Sequence, residues 1–182
     1  MRKRRKSAQE EPRMTVSLFS FVDLYRRQLV TARHLLDKGE AHAVAQGQSS
    51  ADMLGWRLID DMYPLGFQLM VVINFARQWP ARVAGLPEPE AIDADLDAAG
   101  FRTAIDRAIA GLDAMTADQF AGRDDTPLTY KIGDGMEPTL PASQWLTVFA
   151  TTNIYFHLST AYGILRAREV PVGKVDLFAS GL

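Results

Sequence analysis

T-T-N-I-Y-F-H-L-S-T-A-Y-G-I-L-R, residues Thr151 to Arg166, sets polar side chains at helical spacing inside an apolar, aromatic run. At about 100° per residue, Asn153, His157 and Thr160 share one face of a helix. An amide, an imidazole and a hydroxyl are therefore expected to converge inside a helical bundle. Burying polar groups costs free energy unless they are paired, so the cluster needs a structural or a chemical reason. A core histidine bonded to Asn153 or to a nearby carbonyl meets the first need. A ligand-binding or catalytic site around His157 meets the second.

Working outward, three more long helices are expected. An amphipathic segment runs from Ser17 to about Gln46, with Phe21, Leu24, Tyr25, Leu29, Ala32, Leu35 and Leu36 at three- and four-residue spacing and Gly47 placed as a C-cap. Ser49-Ser50-Ala51-Asp52 carries N-cap chemistry for a short helix through Leu58. Helix two proper is expected from Pro64 to about Val83. Its centre, Leu65–Ala76, is apolar nearly all round, as in a helix packed on several sides or across a dimer interface. A third helix spans about Leu96 to Met115, and Thr116-Ala117-Asp118 caps one further turn ending at Gly122. Pro127–Leu140, turning at Gly133-Asp134-Gly135, reads as a small β-hairpin, and the last helix runs from Pro141 or Ala142 to about Arg168, with a short tail after it. This layout predicts an all-α fold: a four-helix bundle, up-and-down or crossover, with a hairpin before the last long helix.

Composition bounds the function classes. With 182 residues, 47% of them apolar, the chain can bury one core, expected as a single domain over 14–182. Cysteine is absent, which removes disulfides, thiolate nucleophiles and cysteine zinc sites and fits a reducing, cytoplasmic setting. No run reaches the roughly 18–20 apolar residues of a membrane span, so no membrane partner is expected. Residues 1–13 carry a net charge of +4 in a chain of net −2, leaving −6 on the remainder. The body is thus a poor nucleic-acid partner, and 1–13 reads as a basic disordered tail, with Met14 as a natural start. Gly133-Asp134-Gly135 lacks the length and strand–helix setting of a phosphate loop, and no cofactor is expected.

L-L-D-K-G-E-A-H-A at Leu35–Ala43, D-M-Y-P-L-G-F-Q at Asp61–Gln68, A-R-V-A-G at Ala81–Gly85 and N-I-Y-F-H-L-S-T-A-Y-G-I-L-R-A-R-E-V-P-V-G-K-V-D at Asn153–Asp176 occur in that order. In these blocks the chain resembles a bacterial and fungal helical-bundle family known only as a domain of unknown function and placed among DinB/YfiT-like four-helix bundles. The wider superfamily implies a divalent-metal site, with one histidine on helix two and an H-x-x-x-H pair on helix four, used by thiol transferases and isomerases. The resemblance puts that pair on Asn153 and His157 and the helix-two ligand near Asn74-Phe75. One imidazole beside an asparagine and a phenylalanine does not suit zinc or nickel, so a bound catalytic metal is not expected.

Other polar residues offer weaker sites. His34 and His42 lie about 80° apart around helix one and offer only a weak metal clip, while Asp60 and Asp61 read as caps for helix two. Gln68 and Asn74 sit in the most apolar helix, where an unpaired amide costs roughly 1–3 kcal/mol. Tyr162 is placed to face the His157 cavity from its rim. Phe67, Phe75 and the neighbouring aromatics are core packing by default, and pocket walls if the bundle leaves a hollow.

Two functional readings lead, with a third behind them. One is a metal-independent enzyme of isomerase, lyase or cyclase type, with His157 as general acid or base, Asn153 orienting it, Tyr162 beside it, and Gln68, Asn74, Phe67, Phe75 and Thr160 binding an apolar or aromatic small molecule. The other is a non-catalytic ligand-binding or structural bundle. A DinB-like metal-dependent transferase or isomerase remains as a third. A homodimer is expected through helix two, whose apolar surface exceeds what a bundle normally buries; the rival explanation is that the hairpin and the linker Leu86–Leu96 fold over it.

Overall fold

Local capping chemistry sets where the helices begin. In the computed structural model, which describes residues 16–181, α1 spans Ser20–Ala45, α2 Ser50–Leu54, α3 Leu65–Ala84 and α4 Ala98–Asp113. The basic segment 1–13 lies outside the described residues. Ser49 and Asp52 cap α2 reciprocally: Ser49 Oγ accepts the Asp52 N–H at 3.1 Å and Asp52 Oδ2 accepts the Ser49 N–H at 3.0 Å. This helix stops at Leu54, short of the expected Leu58, because residues 55–64 run as irregular chain to Pro64. Pro64 itself occupies the N-cap of α3, so Asp60 and Asp61 stay exposed in the preceding loop and cap nothing. Asp97 caps α4 by accepting the Gly100 N–H at 2.7 Å.

The hairpin is smaller than its sequence span. Strands β1 (Pro127–Thr129) and β2 (Thr139–Pro141) pair antiparallel with Pro127 opposite Pro141, and a single bridge joins Ile132 to Met136. Between the bridged residues Gly133 and Gly135 take left-handed φ of 59° and 89°, which only glycine adopts without strain. The last helix follows at once as α5 (Ala142–Gln144), a π-turn (Trp145–Ala150) and α6 (Thr151–Ala167). In the π-turn the backbone N–H of Thr151 reaches back five residues to the Leu146 carbonyl. That carbonyl also accepts the buried Tyr25 hydroxyl at 2.6 Å and the Thr151 hydroxyl at 2.9 Å. Burial pushes the Tyr25 phenol upward, so it remains a neutral donor.

Helix α3 is the hub. It packs on α1, α4, α6 and the π-turn, and most of its residues are buried. The linker after it is tied down by its own amides. Asn74 Nδ2 donates to the Ile92 carbonyl at 3.0 Å, Asn74 Oδ1 accepts the Ile92 N–H at 2.9 Å, and Gln78 Nε2 donates to the Pro89 carbonyl at 3.2 Å. On the opposite flank Trp79 stacks on Trp145 at 5.0 Å between ring centroids, and Tyr130 of the hairpin packs edge-on to both. Linker and hairpin aromatics thus cover the apolar surface that motivates a dimer through this helix.

The segment after α6 is ordered structure rather than a tail. Its Lys174–Phe178 turn docks on α1, where His34 Nε2 meets Asp176 Oδ1 at 2.7 Å and the Thr31 hydroxyl donates to the Leu177 carbonyl. His34 is therefore paired with Asp176 and not with His42, which lies against the Gln46, Trp56 and Glu169 end of the bundle. No helix among the described residues is long and apolar enough to cross a membrane.

Candidate functional site

At the α3–α6 interface one polar relay crosses between helices. Gln68 is 3% exposed in α3, and its Nε2 donates to the Tyr63 carbonyl at 2.9 Å. That bond orients the amide so that Oε1 faces α6, where it lies 2.7 Å from His157 Nδ1. An amide oxygen only accepts, so His157 must carry its proton on Nδ1. The second nitrogen, Nε2, is then the lone-pair site. No buried side-chain nitrogen or oxygen lacks a partner among the described residues, and Nε2 makes no hydrogen bond there, so it reaches solvent. Burial holds the His157 pKa below its ordinary 6.5, and the neutral Gln68 supplies no charge to counter it. The residue is thus a neutral imidazole of fixed tautomer at pH 7.

Aromatic rings frame it. Tyr63 and Phe67 stack at 3.9 Å between centroids, and Phe67 and Phe156 each present an edge geometry to the imidazole, at 6.1 and 5.1 Å. Tyr63 is 64% and Phe156 60% exposed, so both rings are open to solvent beside the imidazole. One turn towards the π-turn, Leu140, Val148, Phe149 and Asn153 line an apolar recess of about 330 Å³.

The expected convergence on one α6 face does not occur. Asn153 Nδ2 donates to the Phe149 carbonyl at 2.8 Å and the Thr160 hydroxyl to the Phe156 carbonyl at 2.8 Å, so each bonds back to its own helix four residues earlier. Asn153 does not orient His157; Gln68 does. Asn74 is spent on the linker backbone, and Tyr162 packs on the core with no hydrogen bond to His157. Phe75 lies beside Phe149 and Trp79, at the recess rather than at the imidazole. The Tyr63 carbonyl, which aims Gln68, carries no side-chain signature and was invisible to pattern reading.

Metal ligation finds little support in these side chains. The described residues contain no group of three or more histidine, aspartate or glutamate side chains placed to hold an ion. The imidazole nitrogen nearest α3 is committed to an amide oxygen, which leaves Nε2 as a lone donor.

The sequence model of a family described as domain of unknown function (DUF1993) matches residues 19–178. Among solved structures, the chain is similar to a DinB family member protein from Shewanella denitrificans, with 27% identity, a TM-score of 0.78, and coverage of 88% of this chain and 90% of that one. A search of curated proteins finds no match.

Proposed function

This chain belongs to the DUF1993 family of DinB-like helical bundles, and from that premise we propose that its α3–α6 face is a small-molecule site at which His157 Nε2 acts as a general base. What supports this is the relay from the Tyr63 carbonyl through Gln68 to His157, which fixes tautomer and ring orientation, while burial favours the neutral ring. An enzyme that needs a base near pH 7 needs all three. Phe67, Tyr63 and Phe156 supply flat apolar contacts for an aromatic or apolar substrate. A proton taken at Nε2 and returned to a different atom of the substrate is an isomerisation. The same proton passed on to a departing group is an elimination. Asn153, whose Oδ1 remains available beside the recess, is placed for the far end of a longer substrate.

Imidazole ¹⁵N NMR of the full chain tests the proposal without a known substrate. The His157 signal should report an Nδ1–H tautomer and titrate below 6.5. Addition of aromatic ketones and phenols should shift it. An Nε2–H tautomer, or titration at or above 6.5, overturns the base assignment. The pKa direction also fixes a stability trend: the unfolded chain takes up this proton first, so the contribution of His157 is complete above 6.5 and is lost as pH falls through the lowered folded value.

The exposure of Tyr63 and Phe156 favours a second reading, in which another copy of the chain packs on this face and His157 only sets helix register. Sedimentation equilibrium separates the two. A mass near 20.2 kDa at tens of micromolar supports the open site. Twice that mass, reverting to one chain in Phe156→Ser, supports the dimer.

A further inference from the structure

A second candidate site lies on the opposite side of α3 and owes nothing to His157. Arg77 of α3 and Arg107 of α4 line two adjoining cavities, one of about 230 Å³ and one of about 420 Å³. Ion pairs among the described residues engage Arg26, Arg27, Arg33, Arg82 and Arg102, and none reaches Arg77 or Arg107. The acids on the same helix as Arg107 are already taken: Asp106 pairs with Arg33 and Asp113 with Arg26. Arg77 is half-buried, and both that burial and the facing charge of Arg107 disfavour its protonated form. Arg107 is exposed, so solvent screens part of this repulsion; a bound anion would relieve the rest.

The smaller cavity combines charge with apolar walls. Apart from the two guanidinium groups its walls are apolar or glycine, including Leu86, Pro87, Leu112 and Met115, and no carboxylate lines it. Glu90 and Asp93 line only the larger cavity, and no ion pair joins them to either arginine. The roof over both is preorganised, since Gln78 holds the Pro89 carbonyl and Asn74 holds both backbone groups of Ile92. Little ordering is therefore left to be done on binding.

We propose that the smaller cavity binds a small amphiphilic oxyanion, a carboxylate or phosphate monoester with a short apolar arm, its head gripped between Arg77 and Arg107 and its arm against Leu112 and Met115. Guanidinium groups suit both heads, because their planar donors match the paired oxygens of either. Asn74 and Gln78 act as positioning residues for the roof.

Calorimetric titration of the full chain with hexanoate, hexyl phosphate and hexanol tests this. At least one anion should bind one-to-one, about tenfold or more tightly than hexanol. The ratio of the two anions identifies the preferred head. Arg77→Gln and Arg107→Gln should each weaken that anion about tenfold while leaving hexanol unchanged. Circular dichroism checks that both variants fold. Absence of binding by either anion at millimolar concentration, equal binding of hexanol, or retention of anion binding in both variants overturns the proposal. If binding appears only after Glu90→Gln and Asp93→Asn, the arginines are neutralised by those acids in solution, and the proposal fails as well.

Discussion

Trp79→Ala should lower the folding free energy by about 3–5 kcal/mol, the range for removing a large aromatic from a packed core. Trp79 is 1% exposed and is the ring through which the hairpin, α3 and the π-turn meet. It stacks on Trp145 at an interplanar angle of 18°, takes the edges of Tyr130 and Phe149, and carries the Arg82 guanidinium at 4.8 Å. Alanine leaves a void that Trp145 cannot close, because its indole N–H is committed to the Leu128 carbonyl at 2.8 Å. For a chain of this length the loss corresponds to a drop in Tm of about 10 °C. Urea denaturation followed by circular dichroism measures it. A loss below about 1 kcal/mol would mean that the hairpin and its aromatic cluster contribute little to the fold.

The second large effect concerns the relay. Gln68→Leu keeps the volume of the side chain but leaves His157 Nδ1–H and the Tyr63 carbonyl without partners, at a cost of about 1–3 kcal/mol. His157→Leu has a related cost, because it strands the buried Gln68 Oε1. Replacing both removes donor and acceptor together, so the double variant should lose about 1 kcal/mol or more less than the sum of the singles. Urea denaturation of all four proteins gives the coupling. Additivity within about 0.5 kcal/mol would show that the bond contributes nothing, and would remove the physical basis for a fixed tautomer.

Periodicity made much of this molecule legible. The four long helices, the cap at Ser49, the hairpin turn and the mainly buried face of helix α3 all express local rules, in which the spacing of apolar side chains and the chemistry of a few turn residues suffice. Gln68 and His157 could each be recognised as polar residues in apolar helices for the same reason. Their pairing could not, since residues 89 positions apart meet only once α3 and α6 have packed. The π-turn hid from the pattern because one extra residue in a helical turn leaves no mark in apolar spacing; its Leu146 carbonyl takes the Thr151 N–H and also the Tyr25 hydroxyl from α1.

Which segments are helical and which faces are apolar can be read along the chain, because those properties depend on neighbours within one or two turns. How the polar groups are used emerges only on packing. Asn153 and Thr160 bond to their own helix, Asn74 holds the linker, His34 is taken by Asp176, and Gln68 is left to fix His157. Each buried donor must find an acceptor, and which acceptor lies within about 3 Å is set by helix packing rather than by spacing along the chain. The same packing brings Arg77 and Arg107 to one cavity with no ion-pair partner among the described residues, from helices whose separate sequences give no sign of it.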